Sequence, residues 1–150
     1  VLNDNDEQAT FLLYAPERSP HAWGLDLTQL GEALRESFQD VSYEVRQDDV
    51  HGGAPYMWFW AADSRGAGFD GTALSQGRDC IMLSGTTAGE AAAFVVWLRD
   101  SRLPSPDLIR YSSEAAVAEG IESDWKIPAS ANEDEIADEL RHHLRVVEGA

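Results

Sequence analysis

Val41-Ser42-Tyr43-Glu44-Val45-Arg46 and Tyr56-Met57-Trp58-Phe59-Trp60-Ala61 are the two stretches on which the fold turns. In the first, Val41, Tyr43 and Val45 alternate with Ser42, Glu44 and Arg46, the period of a strand with one buried face. The second is apolar throughout, and a strand would place Tyr56, Trp58 and Trp60 on one face and Met57 and Phe59 on the other. Gly52-Gly53-Ala54-Pro55 between them reads as a turn, so the two strands are predicted to be antiparallel neighbours. Two outcomes stay open for the aromatic strand. Helices on one face of the sheet would leave one aromatic set toward solvent; cover on both faces would bury both.

Working outward, Thr10-Phe11-Leu12-Leu13-Tyr14 predicts a first strand closed by Pro16, and its lack of alternation predicts cover on both faces. A loop from Pro16 to Trp23 leads to a helix over 27–38. Asp26 is its cap, Gln29 stands three residues on, and Leu27, Leu30, Leu34 and Phe38 share a face. Downstream, the glycine-rich stretch Ser64 to Gly77 reads as a long connection, a length associated with function or mobility. Asp79 to Ser84 predicts another strand. Thr87-Ala88-Gly89-Glu90 forms a capping box for a helix reaching Arg99, with Ala91, Phe94, Val95 and Leu98 inward, and Pro104 and Pro106 end it. A strand over Leu108 to Tyr111, a short helix over 113–119 and a final helix over 132–146 complete the chain. Glu133, Asp134 and Glu135 open that last helix and Arg141, His142, His143 and Arg145 close it, the order the helix dipole favours. The expected architecture is a single α/β domain of the α+β type over residues 10–150, after an acidic, flexible tail of residues 1–9. It has one mixed sheet of about five strands with helices on one face, and a ferredoxin-like core with additions as its topology. Wherever paired strands are parallel, their crossovers are expected to be right-handed.

Charge narrows the partners. The 150-residue chain carries 27 Asp and Glu against 11 Lys and Arg, a net charge of −16. That field opposes nucleic acid and anionic membranes, which need clustered positive charge. It either serves solubility alone or steers basic proteins toward the chain. Lys126 is the only lysine, and arginine with abundant alanine and glycine points to a GC-rich bacterial or salt-adapted source. Cys80 has no partner for an intrachain disulfide and reads as a small buried hydrophobe in a reducing compartment. No apolar stretch approaches the roughly 18 residues of a membrane span. The acidic start, Val1 to Gln8, reverses the charge order of a signal peptide, so the expected location is the cytoplasm.

Motifs that carry chemistry are weak. Gly66-Ala67-Gly68-Phe69-Asp70-Gly71 matches G-x-G-x-x-G, but no helix opens at the glycines to present N–H groups to a phosphate, so a flexible loop is expected. His142 and His143 follow Asp138 and Glu139 by four residues each and read as charge pairs on an exposed helix face; His51 beside Asp48 and Asp49 reads as a polar turn. No metal or cofactor is expected. Ser84-Gly85 lacks the G-x-S-x-G context of a nucleophile, and Thr86 and Thr87 read as caps. The expected function is therefore an acidic binding protein that occludes a basic partner, of the inhibitor or immunity type, rather than an enzyme. Tyr56, Trp58 and Trp60 would supply its contact and Asp48 and Asp49 its acidic rim. The alternatives are a small-molecule-binding or enzymatic domain with a pocket near the glycine-rich loop, or a regulatory subunit of a complex.

Overall fold

The computed structural model describes residues 7–48, 53–121 and 125–149. Eleven elements follow one another: β1 (Ala9–Tyr14), α1 (Leu27–Ser37), β2 (Asp40–Asp48), β3 (Ala54–Ala62), β4 (Gly68–Leu74), β5 (Cys80–Thr86), α2 (Ala88–Ser101), β6 (Arg110–Ser113), α3 (Glu114–Ala118), β7 (Trp125–Lys126) and α4 (Glu133–Glu148). The strands form one sheet in the order β2-β3-β4-β5-β1-β6-β7, and each neighbouring pair is antiparallel. An α+β chain with helices on one face agrees with the sequence expectation. The strand count and the mixed pairing do not, because there are seven strands and no parallel pair among the described residues.

The two extra strands have local reasons. β4 occupies the middle of the glycine-rich stretch, between turns at 64–67 and 75–79, and no helix opens at its glycines. Gly66, at φ +89°, turns the chain so that β4 folds back on β3, and Phe69 and Ala73 point into the core. Gly71 lies beneath the Phe59 ring, where a Cβ would collide with the ring and come within 2.9 Å of the Met82 carbonyl. Its glycine serves that close approach rather than mobility. β7 is only two residues long and pairs with Arg110 and Tyr111. β6 also begins two residues later than predicted and ends at Ser113.

The helices form as their caps dictate. Asp26 accepts the Gln29 N–H at 2.9 Å, Thr87 and Glu90 satisfy each other's backbone reciprocally, and Asn132 and Glu135 do the same for α4. α1 lies over β2 and β3, α2 over β4 and β5, and α4 packs on α2 and reaches β6. The core thus fills one side of the sheet, with Phe11, Leu13, Met57, Phe59, Phe69, Ile81 and Leu83 meeting Leu30, Leu34, Phe94, Val95 and Leu140. β1 is not covered on both faces as its unbroken apolar run predicted. It lies inside the sheet, flanked by β5 and β6, so Leu12 and Tyr14 are half-buried by neighbouring strands instead of by a second layer.

Candidate functional site

Period two along β3 decides what faces outward. Met57, Phe59 and Ala61 are fully buried under the helices, so Tyr56, Trp58 and Trp60 stand on the side that no helix among the described residues covers. Tyr56 and Trp60 are half-buried by their neighbours, while Trp58 keeps 40% of its surface open. Of the two outcomes left open by the sequence, the structure takes the first.

The strand register extends this face into three rows across the sheet. The middle row is Glu44, Trp58, Thr72, Met82, Leu12 and Ser112. On one side lie Ser42, Trp60, Asp70 and Ser84; on the other lie Arg46, Tyr56, Leu74, Cys80, Tyr14, Arg110 and Lys126. Carboxylates therefore flank the exposed indole. Asp70 Oδ1 accepts the Trp58 Nε1–H at 3.2 Å, and Glu44 sits directly opposite Trp58 on β2. Arg46 donates to Glu44 Oε2 at 2.7 Å and also bonds Tyr56, and this guanidinium holds the Glu44 carboxyl below its ordinary range. Farther along, the Arg78 guanidinium covers the Tyr14 ring at 4.6 Å and donates from Nε to the Ala15 carbonyl. The face thus sets Glu44, Asp70 and Arg46 around the aromatics of the β2–β3–β4 corner, and Arg78, Arg110 and Lys126 toward its other end.

Of the residues singled out by sequence, the structure brings Tyr56, Trp58 and Trp60 together on one face. Asp48 ends β2 opposite Ala54, and its side chain, like Asp49 and His51 altogether, lies outside the described residues. Glu44 and Asp70, which flank Trp58, were not singled out. Glu44 was legible as the outward residue of an alternating strand, whereas Asp70 was hidden in a segment read as a loop.

The histidines need one correction. His142 is exposed, but His143 is 1% exposed, and its partner is a serine rather than Glu139. Its Nε2 lies 2.8 Å from Ser113 Oγ, its ring meets Trp125 edge-on with centroids 4.3 Å apart, and its Nδ1 is enclosed without a partner. Glu139 instead accepts the Tyr111 hydroxyl at 2.9 Å. The periodicity of α4 explains this, since His143 falls on the stripe of Ile136, Leu140, Leu144 and Val147. His21 Nδ1 lies 3.2 Å from Asp79 Oδ1, a carboxylate that is itself buried. Among the described residues, no three His, Cys, Asp or Glu side chains are grouped to hold a metal ion. Cys80 is largely buried, and burial pushes its thiol up to about 11, so it is a poor nucleophile at neutral pH.

Two cavities among the described residues lie away from the aromatic face. One of about 130 Å³ sits between Trp23, Asp26, Leu98 and Arg102, and a groove of about 500 Å³ runs between Thr10, Gly85, Glu114, Leu144 and Val147. Gly68–Leu74, the middle of the glycine-rich stretch, is a strand rather than part of a long connection. No helix among the described residues is long and apolar enough to cross a membrane. Compared with known protein families, with curated proteins and with solved structures, the chain matches none.

Proposed function

We propose that this chain is a cytoplasmic acidic binding protein that covers a basic partner, acting as an inhibitor or immunity-type protein through the open face of its sheet. The observation that carries the reading is the exposed Trp58 indole set between Glu44 and Asp70, with Tyr56 and Trp60 on either side along β3. An aromatic face flanked by carboxylates favours an ammonium or guanidinium group, because the ring quadrupole and the acids attract it together. The net charge of −16 would steer such a partner from a distance, and Asp48 and Asp49 would add to the rim. The same reading takes β4-β5-β1-β6, with α1 and α2 as crossovers, for a ferredoxin-like core. On that view the β2–β3 hairpin is an addition that carries the site.

The test uses the basic protein that stays bound to the chain at low salt, measured kinetically. Association should slow as salt rises, because exposed charges are screened within about 8 Å at physiological ionic strength. Trp58→Ala should speed dissociation by about tenfold or more, as expected for a hot spot. Neutralising Asp48 and Asp49 should mainly slow arrival. A partner that is itself acidic, or whose association ignores salt, overturns the reading.

A further inference from the structure

The two edges of the sheet differ. β7 is two residues long, whereas β2 runs for nine, from Asp40 to Asp48, in unbroken register with β3 and with no strand on its other side among the described residues. Edge strands are commonly blunted by proline, lysine, a bulge or shortness, and β2 has none of these. Its charges are the remaining guard, and their order is self-complementary. Residues directly opposite in an antiparallel pair share a face, so a two-fold axis joining two copies of β2 must pass at a residue.

Most centres fail. Centring on Ser42 sets Asp40 against Glu44, centring on Glu44 sets that residue against itself, and centring on Arg46 does the same to Arg46. Centring on Val45 sets Glu44 opposite the second copy's Arg46 and Arg46 opposite its Glu44, with Ser42 opposite Asp48. It also places Val45 against Val45, and Val45 is an apolar side chain left 43% exposed. Centring on Tyr43 opposes Asp40 and Arg46, but Tyr43 already packs beneath Gly31 of α1, so that axis would drive the two α1 helices together. We propose that the chain forms a two-fold dimer through β2, centred on Val45, that joins two sheets into one. The Glu44–Arg46 pair, now within one strand at 2.7 Å, is exchanged between copies. This dimer does not rest on the partner proposed above, although both use Glu44, and it would set two Trp58 sites on one continuous face.

Light scattering at about 100 µM chain in about 0.5 M salt is the first measurement, and a mass near twice 16.5 kDa is expected. Lowering the salt should weaken the dimer, because two bodies of charge −16 repel, whereas the basic partner's association should respond in the opposite sense. Arg46→Glu and Glu44→Arg, each checked for an unchanged melting curve, should both be monomeric. Mixing the two should restore a heterodimer, since the introduced arginine of one copy then faces the introduced glutamate of the other, and the remaining Glu44 faces the remaining Arg46. The double variant Glu44→Arg/Arg46→Glu should dimerise like the natural chain and keeps the test standing if one single variant fails to fold. A monomeric natural chain, a single variant that dimerises as the natural chain does, or a mixture that stays monomeric overturns the proposal.

Discussion

Two parts of the core are built on different physics. Over β3 and β4 the interior is aromatic: Phe94 packs on Phe59, Phe69 and Trp97 with ring centroids 5.8, 5.5 and 5.5 Å apart, and Phe38 closes the cluster. Over β6 the interior is a polar network in which Tyr111 bonds Glu139 and Ser113 bonds His143. The first region is held by close packing, which does not change with pH. The second depends on donors and acceptors matching in one protonation state. A single hydrophobic core can thus contain one part that resists acid and one that responds to it.

The largest expected effect lies in the aromatic region. Phe94→Ala should cost about 3–5 kcal/mol, because it removes a fully buried ring from three aromatic neighbours. Chemical denaturation gives the number, and a loss under about 1 kcal/mol would show that the cluster can collapse around the void. The penalty should be the same at pH 7.5 and pH 5.5.

In the polar region the effect should vary with pH. Burial lowers the pKa of His143 below its ordinary value of 6.5; the nearby Glu139 opposes this shift and His142 adds to it. The protonated ring must also carry an Nδ1–H, and that nitrogen is enclosed without a partner. The unfolded chain therefore binds this proton more readily than the folded one. The resulting stability is fully present above pH 6.5 and is lost as pH falls below it. Melting the natural chain and His143→Gln from pH 7.5 to pH 5 should show a steeper fall for the natural chain, and parallel curves would remove His143 from the account. Tyr111→Phe, which deletes one half-buried hydroxyl bond to Glu139, should cost about 1 kcal/mol. A neutral result would mean that water replaces the tyrosine at Glu139.

Sequence reading served the aromatic region better than the polar one. Caps at Asp26 and Thr87, the inward stripe of α2 and the two faces of β3 all follow from local spacing, which acts before tertiary structure does. β4 escaped because its glycines mark a turn and a ring's close approach, and both look like flexibility when the facing Phe59 is unknown. His143 was misread because a neighbouring Glu139 suggested an ion pair, although the stripe of α4 already pointed it inward. The Trp58 site was half legible: alternation names the outward aromatics, but only the register brings Asp70 and Glu44 beside them.

The position of β1 sets the order in which the chain can be assembled. Its partners are β5 and β6, so residues 9–14 must wait for residues 80–86 and 110–113 before they acquire either neighbour. The meander from β2 to β5 closes through successive hairpins and needs no such wait. Distant closures form late because the loop entropy is lost before any contact offsets it. A ribosome-bound chain would then hold a finished meander while its first strand, Phe11 and Leu13 included, still lacks its place. Pulsed hydrogen exchange during refolding should protect β3 and β4 before β1, and simultaneous protection would show that the centre of the sheet closes with its wing.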